Sequence, residues 1–167
     1  SLLIGAGTLG GGGVQQGGNA SGSSVTVNFD ESTVTGGSLI VSGAANGGST
    51  IGGTGDSTGG LAVSGTVDFA ATNSIFNLVG LNEISAIARG GASDAGGDGR
   101  SGNVFVDIAQ TEINIVGDGQ TPGSLVISTD AFGGTGENED GDARGGNSTF
   151  YSDDGIITAD AMTVSAN

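Results

Sequence analysis

Four carboxylates within a short glycine-rich stretch come nearest to a chemical site in this sequence. Glu137, Glu139, Asp140 and Asp142 lie within six residues of one another. Carboxylate oxygens on a flexible loop are the hard ligands that calcium prefers. The strict EF-hand spacing is absent, so a solvated acidic loop with Arg144 nearby is the alternative interpretation. The sequence therefore predicts either a calcium site at these four residues or a solvated loop.

Three segments that begin Gly-Gly-x-Gly are a second possible source of calcium ligands. They are similar to the start of the GGxGxD calcium repeat, in which backbone carbonyls and an aspartate supply the oxygens. The sixth residue here is Ser, Ser or Asn, and the units are not nonapeptides, which argues against that turn. The segments span residues 52–57, 96–101 and 133–138.

Catalytic chemistry finds little support among the side chains. The chain has no lysine, histidine or cysteine, so it lacks the basic residue a lyase would use and the common nucleophile–base pairs. Asp153 and Asp154 could act as an acid–base pair, but a turn before Gly155 explains them more simply. The glycines lie between predicted strands, which argues against a dinucleotide-type phosphate site. We therefore predict no enzyme activity, no catalytic residue and no cofactor other than calcium.

Charge narrows the range of partners. Eighteen acidic residues and three arginines (Arg89, Arg100 and Arg144) give a net charge of −15, which disfavours nucleic acids and anionic membranes. No apolar run of about 18 residues predicts a membrane span. The absence of an initiator methionine and a signal peptide suggests a mature product or an internal segment. An aromatic sugar platform is not expected, because tryptophan is absent, Tyr151 is the sole tyrosine and the phenylalanines fall in alternating strands.

An internal repeat is the main signal for fold. One short apolar strand recurs five times, and its anchor residues are separated by 37, 43, 43 and 37 residues: Gly5, Ser42, Ser85, Ser128 and Ser165. We interpret residues 1–167 as a single repeat domain with units of approximately 1–37, 38–80, 81–123 and 124–160, followed by the start of a fifth at 161–167.

Each unit has the same predicted order of elements after its anchor strand. A Gly-Gly pair opens a glycine-rich stretch (Gly10-Gly11, Gly47-Gly48, Gly90-Gly91 and Gly133-Gly134), and a second glycine cluster closes it (17–19, 59–60, 102–103 and 145–147). A second strand with period-two alternation follows at 25–29, 61–63, 104–108 and 149–151, and a third at 33–35, 75–78, 113–116 and 156–158. The predicted inward rows are Val27, Val63, Val106 and Phe150, and Val41, Ile84, Ile127 and Val164.

Such a unit cannot bury its apolar face alone, but stacking equivalent strands in parallel covers that face. The sequence therefore predicts an all-β fold, a right-handed parallel β-helix or β-solenoid with about four coils of 37–43 residues and long glycine-rich loops. The alternative is two coils of roughly twenty residues per unit. One coil is favoured because the glycine stretch lacks alternating apolar residues.

The segments GGNASGSSVTVNF, STGGLAVSGTVDF and SGNVFVDI resemble the glycine-rich repeat regions of large bacterial exoproteins of the filamentous-haemagglutinin type. This resemblance implies a parallel β-helix, export across the outer membrane, and surface attachment or biofilm contacts. We expect an extracellular, secreted or cell-surface scaffold that associates with itself or with neighbouring repeats of a longer chain. The alternative is an adhesin segment that binds a polysaccharide or an abiotic surface through its acidic glycine-rich loops.

Overall fold

The structure is a computed structural model, and it describes residues 1–50 and 56–167. Within those residues the chain is all-β: it contains no helix, and its strands pair only in parallel. The Gly-Gly-x-Gly segment at 52–57 lies mostly outside the described residues. The strands are β1 (Leu2–Leu9), β2 (Ala20–Ser21), β3 (Val25–Asp30), β4 (Thr33–Thr35), β5 (Leu39–Asn46), β6 (Ala62–Val63), β7 (Val67–Thr72), β8 (Ile75–Val79), β9 (Leu81–Arg89), β10 (Ser93–Ala95), β11 (Gly99–Arg100), β12 (Val104–Ala109), β13 (Glu112–Val116), β14 (Ser124–Phe132), β15 (Gly136–Glu139), β16 (Ala143–Arg144), β17 (Ser148–Asp153), β18 (Ile156–Thr158) and β19 (Ala161–Ala166).

Each main sheet takes one strand from every repeat. Sheet 1 has the order β1-β5-β9-β14-β19, sheet 2 β2-β6-β11-β16, sheet 3 β3-β7-β12-β17 and sheet 4 β4-β8-β13-β18, while β10 pairs separately with β15. Paired residues are separated by between 37 (Leu2 and Leu39) and 44 (Val104 and Ser148) positions. No strand pair within the described residues has a separation near twenty.

The predicted register of the anchor strand is confirmed in sheet 1. Gly5, Ser42, Ser85, Ser128 and Ser165 are paired in succession, and so are Ile4, Val41, Ile84, Ile127 and Val164. Val41 and Ile127 are fully buried, whereas Val164 in the outermost strand is 45% exposed. Alternation places the apolar row inside because successive side chains of a strand point to opposite faces.

The predicted inward row of sheet 3 is wrong at one position. Val27 is paired with Phe69, and Phe69 with Val106, while Val106 pairs with Phe150. Val63 instead belongs to β6 of sheet 2. The short run 61–63 alternates like a second strand, but the true second strand of that repeat begins four residues later, at Val67. In that strand Phe69 packs beside two other phenylalanines, Phe29 (5.8 Å between ring centroids) and Phe76 (6.0 Å).

The predicted closing glycine clusters at 102–103 and 145–147 are wrong, because they are not equivalent to the cluster at 59–60. Gly60 is equivalent to Gly97 and not to Gly102, because Ala62 pairs with Gly99. Gly102 packs its backbone against Gly65, and Gly146 packs against Gly102, so these residues form a second glycine line one turn further along the chain. The sequence prediction merged two parallel lines of glycine into one.

Sheets 1, 3 and 4 enclose the main core. Its fully buried members include Val67, Phe76, Val104 and Ile108, and each such side chain contributes about 1.5–3 kcal/mol through burial. Towards sheet 2 the space narrows, and the core there consists of alanines: Ala20, Ala45, Ala62 and Ala88. In the second layer the size of the buried side chain thus falls from phenylalanine (Phe69 and Phe76) to alanine (Ala62).

A left-handed residue turns the chain from sheet 3 to sheet 4 in every repeat. The four equivalent residues have φ between 46° and 51°: Glu31, Asn73, Gln110 and Asp154. A hydroxyl follows in the middle layers, where Ser74 and Thr111 each donate to the carbonyl two residues before (2.8 and 2.9 Å). Asp154 therefore has a corner role, in agreement with the turn expected there.

The third repeat has its extra residues between sheets 4 and 1, where the separation of paired residues rises from 37 (Val79 and Val116) to 43 (Leu81 and Ser124). The second repeat instead gains residues between sheets 1 and 2, where the separation rises from 37 (Leu9 and Asn46) to 42 (Ala20 and Ala62). In the turn that holds Pro122, the Asp118 carboxylate accepts hydrogen bonds from the backbone N–H groups of Thr121 (2.6 Å) and Gln120 (2.8 Å). The Thr121 bond is the main reason that the pKa of Asp118 lies below its usual value. Pro122 lies outside the strands, as predicted.

Beyond the alanines, each layer narrows to a glycine neck, which we define by Gly11, Gly18, Gly48, Gly60, Gly91, Gly97, Gly134 and Gly141. The outgoing and returning limbs of each repeat alternate along it. Each neck glycine from Gly18 to Gly141 donates its N–H to the carbonyl oxygen of the neck glycine before it, at 2.7–3.0 Å. One continuous chain of hydrogen bonds therefore runs from layer to layer.

Side chains cannot enter the neck. A Cβ atom on Gly97 would overlap the carbonyl oxygen of Gly60, and one on Gly60 would overlap that of Gly18. A Cβ atom would also overlap the carbonyl oxygen of the equivalent glycine in the preceding repeat at four further positions: Gly48, Gly91, Gly134 and Gly141. The close approach of equivalent backbone segments in successive layers, and not a need for unusual dihedral angles, requires glycine here.

Replacing Val106 with Asp should lower the free energy of unfolding by about 3 kcal/mol or more, because Val106 is 2% exposed and the carboxylate would be buried without a partner. Thr149→Asp on the exposed face of the same sheet is the matched control and should change stability by less than about 0.5 kcal/mol. Chemical denaturation followed by circular dichroism measures both. Equal effects of the two variants would contradict the register.

Gly97→Ala should destabilise the fold by about 3 kcal/mol or more, since its methyl group would overlap the Gly60 backbone and push two successive layers apart. Gly11→Ala provides the control within the same neck, because a Cβ there has no neighbour within 4 Å. Thermal unfolding of both variants compares them directly. A Gly97→Ala protein as stable as Gly11→Ala would disprove the close approach.

Candidate functional site

A small distal lobe lies beyond the neck and carries most of the residues that the sequence singled out. It comprises residues 12–16, 49–50, 56–58, 92–95 and 135–140 of the described chain. Its layers are joined by the β10–β15 pair and by isolated parallel bridges, for example between Thr58 and Ala95. A surface depression of about 470 Å³ crosses three layers, and residues of all three line it, including Thr50, Ser57, Asp94 and Glu137.

A polar network holds two layers of the lobe together. Ser57 is 3% exposed, its hydroxyl donates to the Asp94 carboxylate (2.9 Å), and the hydroxyl of Thr50 donates to Ser57 (3.3 Å). A serine–carboxylate pair of this kind would need a base such as histidine to make the hydroxyl a nucleophile, and the chain has none. The Ser57–Asp94 bond joins the second and third layers of the lobe.

The predicted calcium ligands are neighbours in sequence but separate in space. Glu137 lines the 470 Å³ depression, Glu139 lines a second one beside Asp56, and Asp142 lies in a third. The carboxylate of Asp140 accepts a hydrogen bond from the Gly136 N–H (2.9 Å). Among residues 1–50 and 56–167, no group of three or more carboxylates is arranged to hold a metal ion. Calcium binding at these four residues stays a prediction.

The structure also brings together residues that the sequence did not connect. Arg100 in β11 is paired with Arg144 in β16, and a depression of about 340 Å³ is lined by Asp98, Gly99, Arg100, Asp142, Ala143 and Arg144. The signal was present as two Asp-x-Arg triplets 44 residues apart. It was missed because Asp142 was grouped with its sequence neighbours Glu137, Glu139 and Asp140, and the two triplets were not compared between repeats.

Two aromatic side chains of sheet 3 point outwards. Phe105 in β12 is 42% exposed, and Tyr151 in β17 is 59% exposed. Both lie on the outer face of sheet 3, in neighbouring strands. Phe132 in sheet 1 is also exposed, and the Arg89 guanidinium lies 5.0 Å from the centre of its ring.

Across the part of the chain that the structure describes, no helix has the length and apolar character needed to cross a membrane.

Calcium binding at the acidic loop predicts that millimolar calcium raises the thermal unfolding temperature, because the ion would bind the folded state preferentially. The Asp140→Asn and Asp142→Asn double variant should then lose the shift, while magnesium should produce a smaller one. Differential scanning calorimetry in a calcium series measures the effect. An unchanged midpoint of the unmodified chain would remove the metal hypothesis.

No family model, curated protein or solved structure matches this chain. The similarity to filamentous-haemagglutinin-type repeats therefore remains a resemblance in the style of the sequence.

Proposed function

We propose that the chain is a right-handed parallel β-helix of about four coils that serves as an extracellular structural scaffold in a bacterial surface fibre, adhesin stalk or biofilm matrix. The observation that carries the proposal is the constant register between repeats. All four main sheets continue from one repeat to the next, with apolar side chains stacked on equivalent apolar side chains in the core. A repeat that presents the same ladder on both sides is suited to building length.

Stiffness follows from two kinds of hydrogen bond that run along the same axis. The sheet ladders connect each layer to the next, and the glycine neck adds a second line of backbone bonds between the same layers. Because each repeat contacts mainly its neighbours, stability grows with the number of repeats. The chain also has no lysine and only three arginines, which leaves few sites for trypsin-like proteases.

The outermost layers offer surfaces for further stacking. Leu39 and Leu125 are 3% and 4% exposed, whereas Leu2 and Met162, at the equivalent positions in the edge strands, are 39% and 41% exposed. Another layer, from a longer chain or from a second copy, would bury them. The charge of −15 opposes association of copies, but salt screens it over a Debye length of about 8 Å at physiological ionic strength.

The extracellular setting is supported by the resemblance to exported repeat proteins and by the acidic, cysteine-free composition. An adhesive function is the second candidate, and the variation of the distal lobe favours it. Ser93 pairs with Gly136 and Ala95 with Glu139, so the fourth repeat has one extra residue in its lobe and carries Glu139 where the third repeat carries Ala95. A surface-binding role would use such a repeat-specific loop.

End-to-end stacking predicts that the protein forms unbranched filaments one chain wide at high concentration in 0.5 M salt, visible by electron microscopy. Inward-facing charges at both edges, introduced by Ile4→Lys and Val164→Lys, should abolish the filaments, because an edge charge would be buried by the next layer. Thr163→Lys on the outer face is the control and should still assemble.

Light scattering across the same salt series supplies the decisive comparison. A monodisperse monomer at every salt and protein concentration would overturn assembly by stacking. Filaments that persist in the Ile4→Lys and Val164→Lys variant would show that copies associate through another surface.

A further inference from the structure

We propose that Arg100 and Arg144, together with Asp98 and Asp142, bind an acidic sugar residue within an otherwise neutral polysaccharide. The inference goes beyond the scaffold role. It names a ligand for the adhesive alternative, and it depends on that alternative only because both require an extracellular protein. It also moves the binding surface from the acidic loop to the third and fourth layers of sheet 2.

The two arginines lie side by side in an arrangement that can hold an anionic group between them. They are directly paired across neighbouring strands, which lie about 4.8 Å apart, and like charges at such positions destabilise a sheet. Arg100 makes one ion pair, to Asp98 at 3.4 Å, and Arg144 makes none within the described residues. Both side chains are exposed. An anion between the guanidinium groups would relieve the repulsion.

The structural role of these positions does not require charge. In the first layer Asn19 accepts a hydrogen bond from the Leu61 N–H (2.9 Å), just as Asp98 accepts one from the Asp142 N–H (3.0 Å). The positions equivalent to the arginines hold Ser21 and Val63. Uncharged side chains therefore serve the ladder in the first two repeats, and the charged group in the last two is an addition.

The chemistry of the pocket selects the ligand. Planar guanidinium groups bind carboxylates through paired N–H donors, and two of them in register can hold one carboxylate between them. The flanking carboxylates accept hydrogen bonds from hydroxyl groups. A ligand that offers one carboxylate and several hydroxyls within a single ring is an acidic sugar, and the depression of about 340 Å³ lies in the range of small-molecule sites.

The negative charge of the whole protein restricts which polymer can carry that sugar. Densely charged chains such as nucleic acids, with one charge per about 1.7 Å in a duplex, would be repelled by a protein of net charge −15. Neutral sugars on either side of the acidic one avoid this repulsion. Phe105 and Tyr151 are exposed aromatic residues in the same two repeats, on the outer face of sheet 3. The chain from Arg100 to Phe105 spans at most about 18 Å, the length of a few sugar units.

Isothermal titration calorimetry with a hyaluronan hexasaccharide, in which glucuronate alternates with a neutral sugar, tests the proposal on the whole chain without divalent cations. Arg100→Gln combined with Arg144→Gln should weaken binding at least tenfold, and Arg144→Gln alone should weaken it measurably. Arg89→Gln is the matched control, because Arg89 lies on sheet 1 over Phe132, away from the proposed site. The affinity of this variant for the hexasaccharide should stay within twofold of that of the unmodified chain. Fluorescence of Tyr151, the sole tyrosine in a chain without tryptophan, should change on binding and report the same dependence.

Chitohexaose, which lacks carboxylates, should bind at least tenfold more weakly, and circular dichroism should show each variant folded. Absence of binding to the unmodified chain, equal loss in Arg89→Gln, or equal affinity for chitohexaose would each overturn the proposal. Hexaglutamate binding with the same affinity and arginine dependence would also overturn it, in favour of an acidic peptide or a second copy. These outcomes are independent of filament formation, so the scaffold function is tested separately.

Discussion

The close approach of two backbone limbs at the glycine neck is the constraint on which the layered structure depends. Each neck glycine contacts a peptide group of the neighbouring limb, and a Cβ on most of them would overlap a carbonyl oxygen. Glycine loses more conformational entropy on folding than other residues, so this contact is unfavourable unless the peptide groups are satisfied. The continuous hydrogen-bond chain along the neck satisfies them. The glycine content that first suggests disorder is thus the source of an ordered, solvent-poor junction.

The neck also explains how much of the fold could be predicted from the sequence. The anchor row with Val41 and Ile127 was predictable because the strand is long, begins with an apolar run and is followed at once by a Gly-Gly pair. The row in sheet 3 was not fully predictable, since the residues 61–63 and the strand that contains Phe69 both alternate. Telling them apart requires knowing which glycines meet across the neck. That contact joins limbs of different repeats and leaves no pattern in a local window.

The residues of the candidate sites were harder to predict from the sequence than the strands. Proximity in sequence suggested that Glu139 and Asp142 act together, yet the chain leaves β15 and passes through the neck at Gly141 between them. Arg100 and Arg144 are 44 residues apart and are direct neighbours in the sheet. In a stacked repeat, chemical groups are assembled by period and not by local spacing. A correct repeat phase is therefore a precondition for any prediction of a site.

This geometry separates the parts of the molecule that can vary from those that cannot. Core positions such as Ile127 are paired with a similar side chain above and below, so a change in one layer disturbs two others. Outward positions are free of that restraint, and the row that contains Val63 changes to arginine in the next layer without altering the register. A substitution repeated in adjacent layers then places two identical groups about 4.8 Å apart. A stacked repeat can in this way bring two identical side chains together on its surface, because the ladder itself sets the spacing of the residues that carry them.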